Sequence, residues 1–434
     1  MGTILYPTAG YITDIAKDSE PGALNNKERE YLRNLAKEVI EISHKPEQGE
    51  KRKLWYRHNK LEKVRPMFLV FPEDSWIEII SEDELKVEDR YWKQWEWYLR
   101  HLIYRDQNLP DDFVIEPDIY VNSVVKGSGW GLEPKCIRPD EQKGAWKYEP
   151  PIKEPDDIKK LAYPTIEINK VATQKRFDAV KEIFGDLLPV HINYFSRIDA
   201  CLIGEATSLR GIDQIMIDMY DRPEWVHELM NFITEGVLRN IKYIEKNGYL
   251  NLNNRNHYND SGGIGYTQEL PSLDFDGKNV HLQDMWGFGV AQEFSEVGPD
   301  QHEEFLLNYQ LRILEQCGLN AYGCCEPYTN KFDMLKKRVP RLRRVSVSPW
   351  CNIEKAAEKL QDKYIYSWKF NPAFIVGKFN PDMIRSYIKR TLEVAKGCVL
   401  EIILKDTFTI NNDPEILKNW VKITREEIKK FWGY

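Results

Sequence analysis

Residues 319–348, LNAYGCCEPYTNKFDMLKKRVPRLRRVSVS, contain the pattern that decides the fold. The apolar runs at 319–325 and 342–348 are each short enough for a buried strand, and the segment between them has the length and amphipathic spacing of a helix. A strand, a helix and a second strand in this order favour two parallel strands joined by a right-handed crossover.

Strand-like segments continue this pattern on both sides. They lie at residues 66–71, 114–121, 188–195, 249–253, 279–286, 319–325, 342–348, 363–369 and 398–406, and amphipathic helices separate most of the later ones. This number of alternating strands is about what a closed eight-stranded barrel requires. An open, doubly wound sheet is the alternative, but the Gly-x-Gly-x-x-Gly turn of that fold does not occur at the strand-to-helix junctions of the sequence.

The segments outside these strands set the predicted domain organisation. Residues 1–65 are polar and helical, and we expect them to form an N-terminal helical extension. Residues 66–434 are expected to form one α/β domain with a (β/α)8 TIM-type barrel fold. Residues 122–165 are rich in glycine, proline and charge, so we expect a long excursion from the barrel there.

Composition and charge narrow the class of protein. The chain has a formal charge of -7 without a basic block, which argues against nucleic acid as a partner. It contains no apolar run of about 18 residues, so no helix is expected to span a membrane. The N-terminus lacks a basic region followed by an apolar one, and the cysteines are odd in number and scattered. We therefore expect a cytoplasmic protein with reduced thiols.

Ionisable, amide and aromatic side chains lie at the ends of several predicted strands. In a parallel barrel the carboxyl ends of all strands meet on one face, where active sites of this architecture form. The acid–base candidates there are His257, Asp284, Lys405 and Asp406, and the substrate-binding candidates are Asn254, Tyr266, Trp286, Trp350 and Lys369. Structural interpretations compete with these roles. Lys405 and Asp406 can close the barrel end as an ion pair, and the glycine-rich residues 261–265 can form an anion cradle or a mobile lid.

Cys324, Cys325 and Glu326 form a Cys-Cys-Glu corner at the end of the strand at 319–325. Thiolates beside a carboxylate suit zinc or another borderline metal. Because neighbouring residues of a strand point to opposite faces, both thiols are not expected to ligate one metal unless the strand has ended. We favour Cys325 as the ligand, since it lies nearer the strand tip. The alternatives are that both cysteines are small buried hydrophobic residues and that Glu326 caps the helix that follows.

Several segments carry a family resemblance. They are LRGIDQIMIDMYDRPEWVHELM (209–230), MWGFGVAQEFSEVGPDQHEEF (285–305), the stretch at 318–350, YIYSWKFNPAFI (364–375) and RPMFLVFPEDSW (65–76). The chain resembles the uroporphyrinogen decarboxylase superfamily, especially its bacterial branch of corrinoid-linked methyltransferase-like proteins. The resemblance implies a (β/α)8 barrel with its site at the carboxyl-terminal mouth. The decarboxylases bind substrate carboxylates with arginines near the first strand, whereas residues 71–75 of this chain are acidic there, which disfavours porphyrinogen decarboxylation.

The resemblance also bears on zinc. The methyltransferases of this superfamily hold zinc with a His-x-Cys pair and a later cysteine. Cys325 matches the cysteine of the pair, Gly323 stands in the place of the histidine, and Lys405 and Asp406 stand where the later cysteine is expected. A zinc site in this chain is therefore expected to be altered or lost. If a metal binds, the candidate ligands are Cys325, Glu326 and either His281 or Glu293.

The leading hypothesis is that the chain moves a methyl group between a small methylated substrate and a corrinoid carried by a partner protein. Asp300-Gln301-His302 begins like a cobalt-ligating Asp-x-His-x-x-Gly motif, but Phe305 replaces the glycine, so the corrinoid is expected on a separate protein. One alternative is a metal-independent decarboxylase or lyase that uses His257, Asp284 and Lys405 on a carboxylate-bearing substrate. Another is a non-catalytic ligand-binding barrel. The sequence does not identify the substrate, and it is compatible with a homodimer.

Overall fold

The computed structural model describes residues 19–137, 147–259 and 261–433. Residues 1–18 of the predicted extension and 138–146 of the predicted excursion lie outside the described residues, as do Asp260 and Tyr434. The described chain is a mixed α/β fold built on a large parallel sheet, which confirms the α/β class and the parallel pairing expected from the sequence.

The strands are β1 (Met67–Val70), β2 (Ile119–Asn122), β3 (Val125–Gly127), β4 (Lys135–Ile137), β5 (Lys147–Glu149), β6 (Ile166–Ile168), β7 (Val190–Asn193), β8 (Asp199–Ala200), β9 (Trp286–Gly289), β10 (Leu319–Tyr322), β11 (Leu342–Val347), β12 (Ile365–Lys369) and β13 (Val399–Leu404). Seven of them form one sheet in the order β1-β13-β12-β11-β10-β9-β8 with parallel neighbours. Strands β1, β9, β10, β12 and β13 are buried throughout, as expected of parallel strands covered on both faces.

The helices are α1 (Asn26–Ser43), α2 (Pro46–Asn59), α3 (Arg90–Asn108), α4 (Lys170–Phe184), α5 (Leu202–Arg210), α6 (Ile212–Asp221), α7 (Pro223–Lys246), α8 (Pro299–His302), α9 (Asn308–Leu314), α10 (Phe332–Arg338), α11 (Ile353–Leu360), α12 (Ala373–Val376), α13 (Pro381–Val394) and α14 (Glu415–Trp432). Glu303–Leu307 joins α8 to α9 as a π-helical turn. In the part of the chain that the structure describes, every helix is too short or too polar to traverse a lipid bilayer.

The remaining strands form three separate pairs. Strands β2 and β7 are parallel, whereas the pairs β3–β6 and β4–β5 are antiparallel and supply the short strands of the predicted excursion. The strand predicted at 249–253 is reduced to one parallel bridge between Phe195 and Leu250. Its lower regularity follows from Asn251 and Asn253, whose side chains bond to the backbone of Tyr194 and Trp286 in place of a continuous ladder.

The strand predicted at 279–286 begins only at its last residue, Trp286. Leu282–Asp284 form a 3-10 turn instead, because the Asp284 carboxylate accepts hydrogen bonds from the backbone N–H of His281 at 2.8 Å and of Ser272 at 2.9 Å. This shift matters for the site: His281 and Asp284 precede strand β9 and so lie at the amino end of the sheet rather than at its carboxyl end.

Helices α1 and α2, the described part of the predicted N-terminal extension, contribute to the core. Trp55, His58 and Asn59 of α2 are buried. The Asn59 side chain donates to the carbonyl oxygens of Ile264 and Tyr266 at 2.9 and 2.8 Å. Helix α2 thus packs against the segment that contains Ile264 and Tyr266.

Residues 257–259 and 261–265 form a hairpin that packs against the sheet. Tyr258 and Ile264 make an antiparallel bridge, and the described residues from Ser261 to Thr267 are buried. A methyl group on Gly262, where φ is 119°, would lie 2.4 Å from Ile403 of β13, and one on Gly263 would lie 2.4 Å from the Arg344 guanidinium of β11. The glycines therefore permit close packing, and the expectation of a mobile lid is wrong because the segment is enclosed by strands.

We predict that Gly262→Ala lowers the free energy of unfolding more than Gly277→Ala does. Both glycines have positive φ, but the space around Gly277 is open, so its variant measures the backbone strain alone. The clash with Ile403 is expected to add about 1–3 kcal/mol of overpacking cost, measurable by urea unfolding. Equal losses for the two variants would contradict the enclosed position of the hairpin.

Candidate functional site

Two pairs of chemically active side chains meet at the carboxyl ends of two strands. Cys324 and Cys325 follow β10, and Lys405 and Asp406 follow β13. Strands β11 and β12 separate β10 from β13, which would place them about 14 Å apart in a flat sheet at about 4.8 Å per strand. The long Lys405 side chain spans much of this distance, and its Nζ lies 3.5 Å from the Cys324 Sγ.

We call Ser261, Cys324, Cys325, Lys405 and Asp406 the thiol–lysine cluster. The Lys405 Nζ lies 3.5 Å from the Cys324 Sγ, 3.9 Å from the Cys325 Sγ and 3.1 Å from an Asp406 carboxylate oxygen. The two sulfurs are 3.5 Å apart, and the Ser261 hydroxyl donates to the Cys324 Sγ at 3.0 Å. Lys405 is only 6% exposed, so these contacts replace most of its hydration.

The turn after β10 explains why both thiols reach the same point. Strand β10 ends at Tyr322, and Gly323 adopts φ 100° while its N–H donates to the Gly289 carbonyl at 2.8 Å. Once the strand has ended, neighbouring side chains no longer alternate between two faces. The strand has therefore ended before the cysteines, the condition under which both thiols can reach one point, and Cys324 and Cys325 both contact Lys405.

The charges of the cluster are mutually stabilised. The hydrogen bond from Cys325, helped by the Lys405 ammonium and the Ser261 hydroxyl, lowers the pKa of Cys324 to about 6 despite burial. The same Cys325–Cys324 contact, together with burial, raises the pKa of Cys325. Burial alone would lower the pKa of Lys405, but Tyr258, Cys324 and Asp406 raise it well above its ordinary value. Of the two cysteines, Cys324 thus carries a thiolate, which faces the Lys405 ammonium, and Cys325 keeps its proton.

Glu73, at the carboxyl end of β1, is a further acid beside the cluster. Its carboxylate accepts a hydrogen bond from the Asp406 N–H at 2.8 Å, and both residues have positive φ, 48° for Glu73 and 58° for Asp406. Non-glycine residues rarely take this conformation, and such backbone strain clusters at functional sites. Burial, reinforced by the Asp406 charge, raises the pKa of Glu73 to about 8. Glu73 is therefore protonated at neutral pH and able to donate a proton.

Glu326 shapes the loop beneath the thiols. Its carboxylate accepts hydrogen bonds from the backbone N–H of Cys324 at 3.0 Å and of Ala291 at 2.7 Å, and from the Tyr328 hydroxyl. It joins the turn after β10 to the turn after β9, so its partners differ from those of a helix cap.

Burial, and then the neighbouring Glu326 charge, raise the pKa of Glu293.

The residues expected to bind zinc do not come together as one set. His281 lies before β9, where its Nδ1 is 3.1 Å from Glu245, whereas Cys325 lies beyond the opposite end of the neighbouring strand. Four residues of strand separate these two ends, which is about 13 Å. Across residues 19–137, 147–259 and 261–433, no group of three or more His, Cys, Asp or Glu side chains is arranged to hold a metal ion.

Lys405 gives the physical reason why zinc does not fit the thiols. Zinc binding to thiolates needs an open approach to the sulfurs, but the Lys405 ammonium contacts both of them and the Asp406 carboxylate. A second cation at this point would be repelled by the ammonium at a separation of a few ångströms. The two sulfurs and the Asp406 carboxylate are therefore already paired with a cation of the protein itself, the Lys405 ammonium.

Among the other acid–base candidates, His257 faces a different cavity. It lines a space of about 30 Å³ with Tyr98, Glu116, Asp118 and Arg255. Burial, with the nearby Arg255 charge, lowers the pKa of His257 to about 4. His257 is thus neutral at physiological pH, and its cavity is lined by residues outside the thiol–lysine cluster. Asp284 stabilises the turn before β9.

The substrate-binding candidates are dispersed. Asn254 donates to the Leu270 carbonyl at 2.6 Å, Tyr266 bonds to Glu116, and Trp286 is buried with its indole N–H on the Gly265 carbonyl at 3.0 Å. These three support the fold around the hairpin. Trp350 is 68% exposed, and Lys369 is buried at the end of β12, where its Nζ lies 2.6 Å from the Ser367 hydroxyl.

Three residues of the site, Glu73, Tyr258 and Ser261, were missed by the sequence reasoning. Glu73 had a usable signal, since it follows the first predicted strand in an acidic segment. Tyr258 and Ser261 carried no such signal, because their positions depend on the hairpin that brings them to Lys405 and Cys324.

Comparison with known proteins adds little to this geometry. No family model matches the chain, and no curated protein matches it. Among solved structures, a methyltransferase from Methanosarcina mazei aligns with 87% of this chain and 98% of its own chain, at a TM-score of 0.48 and 10% sequence identity. A likeness of this degree does not assign an activity.

Lys405→Met is expected to raise the pH at which Cys324 becomes reactive. In the native protein, alkylation of Cys324 by iodoacetamide should rise with a midpoint near pH 6, and loss of the ammonium should move it by at least about one unit toward the ordinary value of 9.0. The rate is measured peptide by peptide with mass spectrometry. Lys363→Met on the surface is the control, and an unchanged midpoint in Lys405→Met would contradict the assigned pairing.

Glu73→Gln is expected to stabilise the protein at high pH. The folded-state pKa of Glu73, about 8, exceeds the ordinary 4.5. The stability that Glu73 contributes to the folded state is therefore fully present below pH 4.5 and is lost as the pH rises through 8. Gln imitates the protonated acid, and the free energy of unfolding should rise by about 2 kcal/mol above pH 8 and change little near pH 4. Glu30→Gln on the exposed face of α1 is the matched control; a uniform effect across pH would refute the raised pKa.

Proposed function

We propose that this chain is an enzyme that transfers a methyl group between a small methylated substrate and a corrinoid carried by a partner protein. The observation that carries the proposal is the thiol–lysine cluster beside Glu73, because it combines a buried cation, a thiolate and a protonated acid at one point. The resemblance of the sequence to corrinoid-linked methyltransferase-like proteins supports methyl transfer as the reaction class.

We also propose that the sheet closes as a (β/α)8 barrel. The parallel pairing of the first strand of the chain, β1, with the last, β13, supports closure. The parallel pair β2–β7 and the bridge from Phe195 to Leu250 supply strands on the side between β8 and β1. In such a barrel the cluster lies at the carboxyl-terminal mouth, where a substrate enters.

Each residue has a distinct role in the proposed reaction. The bond between the methyl carbon and the substrate heteroatom breaks, the methyl group passes to the corrinoid cobalt, and the heteroatom keeps the electron pair. A leaving heteroatom of this kind needs a proton, which Glu73 is placed and protonated to supply. Lys405 holds the thiolate and Asp406 in position, taking the activating place that zinc has in the related enzymes.

The charge balance favours a neutral methylated group that becomes cationic when it takes up the proton from Glu73, and then leaves as a neutral base. One ammonium, Lys405, stands against the Cys324 thiolate and the Asp406 carboxylate, which leaves an excess of negative charge. The aromatic rings of Tyr258 and Phe71, which contact each other edge to face, lie next to these groups. Methylated amines therefore fit better than methyl ethers or carboxylates.

A metal-independent lyase is the second candidate. The observation that favours it is again Lys405, because a buried ammonium beside a protonated acid can also serve acid–base work on a carboxylate-bearing substrate. The two candidates differ in their need for a corrinoid.

The decisive assay mixes the purified chain with cob(I)alamin and a panel of methylated amines and methyl ethers under anaerobic conditions. We expect methylcobalamin to form with at least one methylated amine, and Glu73→Gln to reduce the rate about 100-fold because the acid is lost. Cys201→Ser, outside the cluster, is the control and should keep the native rate. Loss of carboxylate from a substrate without any corrinoid would support the lyase, and no methylcobalamin with the whole panel would contradict methyl transfer.

A further inference from the structure

We propose that Cys324 and Cys325 are a site of reversible oxidation, at which a hydroperoxide converts the two thiols into a disulfide between neighbouring residues. The modification concerns the thiols themselves, and its effect on activity rests on the proposed function. Of the cysteines whose side chains the structure describes, these two are the pair with sulfurs in contact, at 3.5 Å.

The contacts give the two sulfurs different roles. The Cys324 Sγ accepts from the Ser261 hydroxyl at 3.0 Å and faces the Lys405 ammonium at 3.5 Å. The Cys325 Sγ is placed to donate its proton, either to the Cys324 Sγ or to an Asp406 carboxylate oxygen at 3.5 Å. Cys324 is therefore the sulfur that attacks the peroxide, and Cys325 is the sulfur that resolves the product.

The reaction balances in two steps. In the first, the Cys324 sulfur attacks one peroxide oxygen, the O–O bond breaks, an S–O bond forms and water leaves after taking a proton from Lys405, which regains one from solvent. In the second, the Cys325 sulfur attacks the Cys324 sulfur, the S–O bond breaks, the S–S bond forms and a second water leaves with the Cys325 proton. Two thiols thus lose two electrons, and one hydrogen peroxide becomes two waters.

The position of the pair makes the disulfide easy to reduce again. The Cα atoms of adjacent residues are about 3.8 Å apart, below the range of about 4.4–6.8 Å that disulfides prefer. The sulfurs must also approach by about 1.5 Å to reach bonding distance. A disulfide formed under such constraint is more reducible than a structural one, as expected of a bond that is made and broken in use.

Oxidation would change the site more than it changes the fold. The thiolate that pairs with Lys405 disappears, so the ammonium loses its contact at 3.5 Å, while the strands that carry these residues end before the cysteines. Methyl transfer would stop and would return on reduction.

The experiment exposes the purified chain to one equivalent of hydrogen peroxide and follows the peptides by mass spectrometry. We expect the peptide that contains both cysteines to lose two hydrogens at least about 10-fold faster than the exposed Cys201 is oxidised, and dithiothreitol to restore it. Cys325→Ser should stop at the sulfenic acid of Cys324, trapped by dimedone, and Cys324→Ser should react slowly. Cys201→Ser is the control and should leave the pair unchanged.

The outcomes separate this inference from the proposed function. Disulfide formation in the native chain supports the inference even if no substrate is ever methylated or demethylated. Oxidation of Cys201 ahead of the pair, or stable sulfenic acid on the native chain without a disulfide, overturns it, even where methylcobalamin forms in the corrinoid assay.

Discussion

The buried carboxylate of Glu401 holds together parts of the chain that are distant in sequence. It lies 3.0 Å from the Arg344 Nε of β11 and 3.0 Å from the His58 Nε2 of α2, and it accepts a hydrogen bond of 2.5 Å from Ser367 of β12. Arg344 and then His58 offset the cost of burial and lower the pKa of Glu401. Removing one partner of such a pair leaves an uncompensated buried charge, at a cost of about 3–5 kcal/mol.

The same interaction positions the candidate site. The Arg344 guanidinium also contacts the Asn59 side chain at 2.7 Å and the Ile264 carbonyl at 3.3 Å, so it fixes the hairpin that contains Ile264 against the sheet. Glu401 lies within β13, and Lys405 directly follows the end of that strand. The buried ion pair thus anchors the strand that carries the ammonium, and the hairpin places Ser261 against Cys324.

Sequence reasoning located four members of the site because β10 and β13 end where the polar residues begin. Cys324, Cys325, Lys405 and Asp406 were all identified from their positions after apolar runs, and the structure brings them together. The same reasoning failed for His281, because an apolar alternation at 279–286 looks like a strand until the long-range bond from Ser272 to Asp284 makes it a turn.

Long-range contacts also explain the other differences between the sequence-based expectations and the structure. The glycine-rich hairpin has the composition of a surface loop, and only the proximity of Arg344 and Ile403 shows why glycine is needed. Glu73 is visible in the sequence as an acid after a strand, but its raised pKa depends on burial against Asp406. Local patterns reveal where side chains leave the strands, whereas their protonation depends on neighbours from elsewhere in the chain.

Lys405, a cation of the protein itself, occupies the position beside the two thiols that a metal would otherwise take. Cobalt(II) is a suitable probe of this position, because its thiolate complexes absorb in the near ultraviolet. On titration of the purified native chain under reducing conditions, we expect no thiolate-to-cobalt absorption. Stoichiometric cobalt binding with that absorption, abolished in Cys325→Ser, would contradict this placement of Lys405.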